Sequence, residues 1–145
     1  MKKFLLMIAV ALLCSVTMAA ENEVEIPLKK VPDLGLRTVN SYFPGATVVK
    51  SLKITSPDAK NRTKVILDNE SNITFDKDGH WMVVDCQKSS VPTRMVPGKI
   101  QMYLNQNYPG IDVVYMGRVI KNGDITILLN NGTELHFTNE HTIIE

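Results

Sequence analysis

Tyr42-Phe43-Pro44-Gly45 and Asn107-Tyr108-Pro109-Gly110 are the two stretches that decide the fold of this chain. Each ends a short helical pattern and opens a run rich in β-branched residues. The glycines of the two stretches lie 65 positions apart. Proline cannot continue a helix, and glycine accepts the left-handed conformation that commonly ends one. The two stretches therefore mark the same point in two copies of one unit, and the chain is predicted to contain an internal duplication.

Each predicted unit is one helix followed by four short antiparallel strands, over residues 31–86 and 96–145. A Val-Pro pair begins each helix, and apolar residues recur at three- and four-residue spacing along it. A single helix leaves much of a four-stranded sheet uncovered, so the two units are expected to share one sheet. We predict a single α+β domain, residues 31–145, in which both helices pack on one face of a continuous eight-stranded antiparallel sheet.

Residues 1–20 have the pattern of a secretory signal peptide. Lys2 and Lys3 precede an apolar run that is too short to span a bilayer, and small residues place cleavage near Ala19 or Ala20. The chain is therefore predicted to be periplasmic or secreted and not embedded in a membrane. The charged residues 21–30 are predicted to form a flexible lead-in or a short edge strand.

The chain has two cysteines, Cys14 and Cys86. Leu13 stands before Cys14 where a lipoprotein signal needs a small residue, which favours a product without a lipid anchor. After cleavage only Cys86 remains, and one thiol cannot form an internal disulfide framework. Cys86 is either a buried small hydrophobe or a site of pairing with another chain.

The charge balance excludes one class of partner. The chain has 16 basic and 15 acidic residues, so no strongly basic surface is expected. Binding to nucleic acid or to an anionic membrane needs a positive patch or stripe. Neither is predicted as a partner.

Five features follow one another along the chain. They are Phe75-Asp76-Lys77-Asp78-Gly79-His80-Trp81, a later Val-Pro, a short helix, Tyr-Pro-Gly, and Leu-Asn-Asn-Gly-Thr-Glu-Leu at 129–135. This combination resembles the PepSY-like family of β-lactamase-inhibitor-like proteins exported by Bacteroidetes. The resemblance covers residues 31–145 and implies the tandem-repeat fold of that inhibitor, with helices on one face of an eight-stranded sheet. It implies little about activity, because a shared fold does not carry a function. No inhibitory contact residue is carried over.

Asp76, Asp78 and Gly79, with Asp85 at the last ligand position, partly match a calcium-binding loop. Strands rather than helices are predicted on both sides, and Thr74 occupies a position where the loop needs an acid. Asp-Gly between strand patterns is instead typical of a hairpin turn. The sequence therefore predicts a turn here and no metal site.

The chain offers no recognisable catalytic group. His80, His136 and His141 are its only histidines, and none has the spacing of a metal pair. There is no Gly-x-Ser-x-Gly elbow and no phosphate-binding glycine loop, and nothing around Cys86 indicates an activated thiolate. No catalytic residue and no cofactor is predicted, and the chain is not expected to be an enzyme.

The outer face of the predicted sheet differs between the two units. If Tyr115, Ile127 and Phe137 face the helices, simple alternation directs another set away from them: Val114, Met116, Arg118, Ile120, Leu128 and His136. The first unit's outward set is more polar: Val49, Ser51, Lys53, Lys64, Ile66 and Thr74. An apolar patch with polar neighbours is typical of an interaction surface. Trp81 is expected to pack in the core or at a sheet edge, or to act as an exposed anchor.

These features lead to two functional hypotheses. The first is an exported, non-enzymatic binding module that recognises a protein or peptide through the open sheet face, with inhibition as one form of that activity. The alternative is a structural or stress-related envelope protein that forms a homodimer through the same face. Residues 21–30 are a further candidate to cover it.

Overall fold

The computed structural model describes residues 22–57 and 61–144, so the predicted signal peptide lies outside the described residues. The described chain forms one eight-stranded antiparallel sheet whose strand order follows the chain. The strands are β1 (Asn22–Glu25), β2 (Val48–Thr55), β3 (Arg62–Leu67), β4 (Asn72–Phe75), β5 (Trp81–Asp85), β6 (Val113–Arg118), β7 (Ile125–Leu129) and β8 (Glu134–Phe137). Two helices, α1 (Asp33–Tyr42) and α2 (Gly98–Asn107), precede β2 and β6. The predicted α+β class is confirmed.

The two helices begin and end in the same way. Each has ten residues and follows a proline, Pro32 or Pro97. Each ends at an aromatic residue whose backbone N–H still donates to a helix carbonyl, and then at a Pro-Gly pair whose glycine has a positive φ. Glycine accepts that conformation without the Cβ clash other residues incur. The aromatic-Pro-Gly stretches therefore end the helices as the sequence predicts.

Both helices contribute to a single buried cluster. Val39 of α1 and Ile100 and Leu104 of α2 belong to it. The sheet adds residues from one of its faces: Val65, Ile73, Phe75, Val84, Met116, Ile127, Leu135 and Phe137. Burying this apolar area is the main term that stabilises the domain. The other face of the sheet has no helix against it among the described residues.

A β-bulge in β6 changes which side chains reach each face. Val113 pairs with Leu129, but the next pair along the ladder joins Tyr115 to Leu128, because the register shifts between them. A bulge places two residues opposite one and reverses the alternation beyond it. Met116 consequently enters the core, where it is 0% exposed, and Tyr115 lies on the open face. The prediction that Met116 faces away from the helices is wrong, and so is the prediction that Tyr115 faces them.

The same irregularity occurs in β2, between Val48 and Lys50. It directs Ser51 to the helix side and places Leu52 on the open face, so the predicted outward positions of Ser51 and Lys53 are also wrong. The interval between the bulges in β2 and β6 is the same as the interval between the two aromatic-Pro-Gly stretches. This correspondence supports the predicted duplication.

The eighth strand does not come from the end of the second unit. That unit has three strands, and Ile143 makes only an isolated bridge with Phe137. The remaining strand is β1, in which Asn22–Glu25 pairs with β2 at the sheet edge. Of the two alternatives predicted for the lead-in, this part of it forms the edge strand.

The face assignment can be tested by truncating one residue from each side of the sheet. Met116→Ala is expected to lower the free energy of unfolding by about 2–5 kcal/mol, because it leaves a cavity in the core. Leu128→Ala, on the half-buried open face, is expected to cost about 1 kcal/mol. Urea unfolding monitored by circular dichroism gives both values. Equal losses, or a larger loss for Leu128→Ala, would contradict the assignment.

Candidate functional site on the open sheet face

Two rows of cross-strand neighbours make up the centre of the open face. Directly opposed residues of antiparallel strands share a face, so the pairing register defines each row. The first row joins Ile66, Asn72, Asp85, Tyr115, Leu128 and Glu134. The second joins Leu52, Lys64, Thr74, Val83, Gly117, Thr126 and His136. Of the predicted face residues, the two rows contain Leu128 and His136.

Tyr115 lies at the centre of this surface, and Gly117 makes room for it. A Cβ atom at Gly117 would come within 2.9 Å of the Tyr115 hydroxyl oxygen. The ring is half-buried, and together with Thr126, Leu128 and Glu134 it lines a depression of about 290 Å³. Burial raises the pKa of the Tyr115 phenol, and the nearby carboxylates of Asp85 and Glu134 raise it further. The hydroxyl therefore stays protonated and remains available as a hydrogen-bond donor.

Thr126, His136 and Glu134 form a polar chain beside this depression. The Thr126 Oγ1 lies 3.1 Å from the Nδ1 of His136, and the His136 Nε2 lies 3.2 Å from the Glu134 Oε1. A hydroxyl, an imidazole and a carboxylate in this order occur in hydrolase triads. Here both the histidine and the glutamate side chains are more than half exposed, and the sheet ladder already uses the backbone N–H groups that an oxyanion would need. The arrangement therefore lacks the shielded base and the free oxyanion donors of a hydrolase triad.

The β2–β3 side of the face is more basic. Leu52 and Ile54 are buried there although they lie outside the main core cluster. Lys64 forms an ion pair of 3.7 Å with Glu23. Ile66 and Lys64 border a second depression, of about 520 Å³, near the β3–β4 turn. The open face thus mixes apolar side chains with polar and charged ones, and Asp85 lies directly beside Tyr115.

Arg118 and Trp81 lie on the helix side. The Arg118 guanidinium carbon lies 4.3 Å from the centre of the Trp81 ring, and its Nη2 donates to the Trp81 carbonyl oxygen at 2.6 Å. Arg118 pairs with the core residue Ile125, so its predicted position on the open face is wrong. Trp81 packs against the core and against this arginine, which matches the packing alternative rather than the anchor.

The remaining predicted face residues are separate from the two rows. Val114 occupies the bulge and is half-buried. Ile120 is 62% exposed in the β6–β7 turn. Sequence reasoning missed Tyr115 and Val83 as members of the open face. The pattern that could have revealed Tyr115 is the run of four apolar residues at 113–116, which fits both phases of a strand.

Asp76, Asp78 and His80 come together in the β4–β5 hairpin, with one ligand atom of each within 4.8 Å of the others. The Asp76 Oδ1 accepts hydrogen bonds from the backbone N–H groups of Asp78 and His80, and its Oδ2 lies 3.4 Å from the His80 Nδ1. Partial burial raises the pKa of Asp76, but the backbone hydrogen bonds and the charge of His80 outweigh it and hold the pKa below its usual value. The carboxylate is therefore already engaged in forming the turn.

Three further candidates are accounted for by packing and by the turns. Cys86 is fully buried, and burial raises the pKa of its thiol, so the thiolate is disfavoured. Asp85 accepts a hydrogen bond from the backbone N–H of Gln87 and does not join the Asp76 group. His141 has a positive φ in the turn before Ile143 and donates its backbone N–H to Thr138.

Comparison with known proteins identifies relatives over most of the chain. A family model described as "Putative beta-lactamase-inhibitor-like, PepSY-like" matches residues 61–145. A solved structure titled a putative calcium-regulated periplasmic protein from Bacteroides thetaiotaomicron has 30% identity and a TM-score of 0.79, covering 85% of this chain and 94% of that one. A putative periplasmic protein from Bacteroides vulgatus has 27% identity and a TM-score of 0.78, covering 86% and 95%.

A third solved structure, titled a putative periplasmic protein of unknown function from Bacteroides vulgatus, has 23% identity and a TM-score of 0.79, and it supports the fold alone. It covers 86% of this chain and 98% of that one. No curated protein matches the chain. Within residues 22–57 and 61–144, no helix has the length and apolar character needed to cross a membrane.

The electrostatics around Tyr115 can be tested by titration. Replacing both neighbouring carboxylates, in Asp85→Asn/Glu134→Gln, is expected to lower the pKa of Tyr115 towards that of an ordinary phenol, because two negative charges no longer oppose ionisation. Phenolate absorbance of each protein, compared with the same protein carrying Tyr115→Phe, isolates this group. Glu140→Gln is the matched control. An unchanged Tyr115 titration in the double variant would place both carboxylates too far away to matter.

The Asp76 turn predicts a pH-dependent contribution to stability. A carboxyl group whose pKa is lower in the folded than in the unfolded state stabilises the fold above the unfolded pKa, and that contribution is lost as the pH falls through the folded pKa. Asp76→Asn is therefore expected to be less stable than wild type at pH 7, and the difference is expected to shrink below about pH 4. Urea unfolding across this range measures it, with Asp112→Asn as control. A difference that is independent of pH would show that ionised Asp76 does not support the turn.

Proposed function

The chain belongs to the PepSY-like family of β-lactamase-inhibitor-like proteins, and from this premise we propose that it is an exported, non-enzymatic binding module. It recognises a loop or extended segment of another exported protein through the open sheet face. The predicted signal peptide at residues 1–20 and the periplasmic titles of the relatives support this location. The observation that carries the proposal is the set of half-buried apolar side chains Ile66, Val83, Tyr115 and Leu128 on a face that no described helix covers.

The chemistry of the face fits contact with a protein. Ile66, Val83, Tyr115 and Leu128 are each half-buried rather than fully exposed, and Tyr115 and Leu128 are direct cross-strand neighbours. Protein interfaces combine an apolar centre with a charged rim, and aromatic residues are enriched at the centre. Tyr115 supplies a large ring and a protonated hydroxyl in this position.

The charges on the rim indicate the kind of segment that binds. Asp85 and Glu134 flank Tyr115 on the β5–β8 side, whereas Lys50 and Lys64 lie on the β2–β3 side. A partner segment with basic residues opposite the first pair and acidic residues opposite the second is complementary to this pattern. Seven strand spacings of about 4.8 Å make the face about 34 Å wide, which is enough for an interface of standard size.

Calcium is not part of this proposal. A title describes one relative as calcium-regulated, and the Asp76, Asp78 and His80 group is the nearest match in the described chain. Calcium takes six to eight oxygen ligands, and this group offers two carboxylates, one of which already holds the turn. The third member is a nitrogen ligand. These residues do not fit a calcium site.

The proposal is tested by comparing a variant on each side of the sheet. A photo-crosslinking amino acid at position 128 captures the partner from an envelope extract, and the same residue at position 102, on the exposed side of α2, is the matched control. The purified partner is then titrated with wild type, Leu128→Asp and Met102→Asp. We expect Leu128→Asp to weaken binding at least tenfold, as loss of an interface centre does, and Met102→Asp to leave it unchanged. Equal affinities for the three proteins would overturn the proposal.

Sedimentation equilibrium of the wild type distinguishes the alternative. If the protein is a stable dimer that Leu128→Asp dissociates into monomers, the open face joins two copies of this chain. The envelope-protein hypothesis then replaces the binding module. A monomer whose captured partner depends on Leu128 supports the module.

A further inference from the structure

A basic cavity lies at one end of the first half of the sheet, away from the rows of the open face. It has a volume of about 510 Å³. Four segments of the chain meet there and bring cationic side chains to its rim: Lys30 from the turn before α1, Lys53 from β2, Arg62 from the start of β3 and Lys77 from the β4–β5 hairpin. Ile26, Pro27 and Pro32 supply an apolar wall. Small-molecule sites combine apolar walls with a few convergent polar groups in cavities of this size.

The three lysine charges at this cavity are not paired by described acidic side chains. No acidic side chain lines the cavity among the described residues. Lys30, Lys53 and Lys77 make no ion pair with any described residue, whereas Lys64 and Lys88 elsewhere on the surface do. Like charges held near one another repel, and an anion between them removes that repulsion. In a chain whose charges nearly cancel overall, this cavity is a local concentration of positive charge.

The second half of the chain lacks most of the cationic residues of this cavity. Aligning the two halves on their aromatic-Pro-Gly stretches places Met95, which is buried and apolar, at the position of Lys30. Aligning them on Phe75 and Phe137 places Asp124 and Asn139 at the positions of Arg62 and Lys77. The Asp124 Oδ1 accepts a hydrogen bond from the Asn139 backbone N–H at 3.1 Å.

The apolar wall, by contrast, is retained. When the halves are aligned on their aromatic-Pro-Gly stretches, Val91, Pro92 and Pro97 are the counterparts of Ile26, Pro27 and Pro32. Arg118 corresponds to Lys53, and it stacks on Trp81 instead of facing open space. The fold itself therefore does not require a basic cavity at this place. Three of the four cationic positions are specific to the first half.

We propose that this cavity binds an amphiphilic organic anion. Its anionic head, a carboxylate or a phosphate, lies among Lys30, Lys53 and Lys77, and its apolar part packs against Ile26, Pro27 and Pro32. The site lies apart from the protein-recognition face and does not depend on that function. Surface lysines reach such a head group with flexible stems, so the site favours anionic charge over one fixed head-group geometry.

Titration calorimetry with decanoate, below its micellar concentration, tests this site. Decyltrimethylammonium has the same tail with a cationic head, acetate has the head without the tail, and decyl phosphate carries the other anionic head. We expect decanoate, decyl phosphate or both to bind with one site per chain. The ligand that binds more tightly carries the head group that the site prefers. The cation and acetate are expected to bind at least tenfold more weakly. Absence of binding by both anionic amphiphiles overturns the proposal.

The matched variants remove equal charge from different places. Lys30→Gln/Lys53→Gln/Lys77→Gln changes only exposed side chains at the cavity, and Lys29→Gln/Lys50→Gln/Lys121→Gln removes the same charge elsewhere. The cavity variant is expected to weaken binding at least tenfold and the control less than twofold, with unchanged thermal unfolding. Amide shifts on ligand addition are expected at Ile26, Lys53 and Thr63. Equal weakening in both variants, or shifts centred on Tyr115, would overturn the site.

Discussion

The β-bulge near the start of β6 determines what each face of this sheet can do. One extra residue in the strand separates Val113, which faces the core, from Tyr115, which faces away. Without it, Tyr115 would lie in the core and Met116 on the surface. A one-residue shift moves every following side chain to the other face, so the core and the candidate site depend on the same irregularity. Burial of Met116 and Ile127 therefore fixes where Tyr115 and Leu128 lie.

The two halves use the same backbone for different surfaces. Lys50 is the counterpart of Tyr115 in the predicted duplication, and each is the first open-face residue after a bulge. Leu52 is likewise the counterpart of Gly117. In the second half Gly117 leaves room for the ring of Tyr115. In the first half the equivalent residue, Leu52, is itself buried. Equivalent positions thus place an aromatic ring on one half of the open face and a lysine on the other.

The sequence predicts the helices, the hairpins and the sheet because these depend on local signals. The aromatic-Pro-Gly stretches end both helices, and the apolar stripe of each helix enters the core at Val39, Ile100 and Leu104. It does not predict the faces of β6, because residues 113–116 are all apolar and either phase buries plausible side chains. The edge strand β1 is also weakly signalled. Its four residues are all exposed, and its pairing with β2 defines it more than its own pattern does.

The basic cavity and the open face share strand β2, on which Lys53 and Leu52 lie on opposite sides. In β2, Lys53 points towards the cavity and its neighbour Leu52 points to the open face. Both neighbours of β2 hold its backbone, β1 through four register pairs and β3 along most of its length. A strand paired on both sides cannot rotate without breaking ladders, so a ligand among the lysines has no low-energy way to move Leu52. Sites without shared contacts and without a two-state element between them contribute independently. An anion in the cavity and a protein on the open face are therefore compatible in one molecule, and each site could have diverged without disturbing the other.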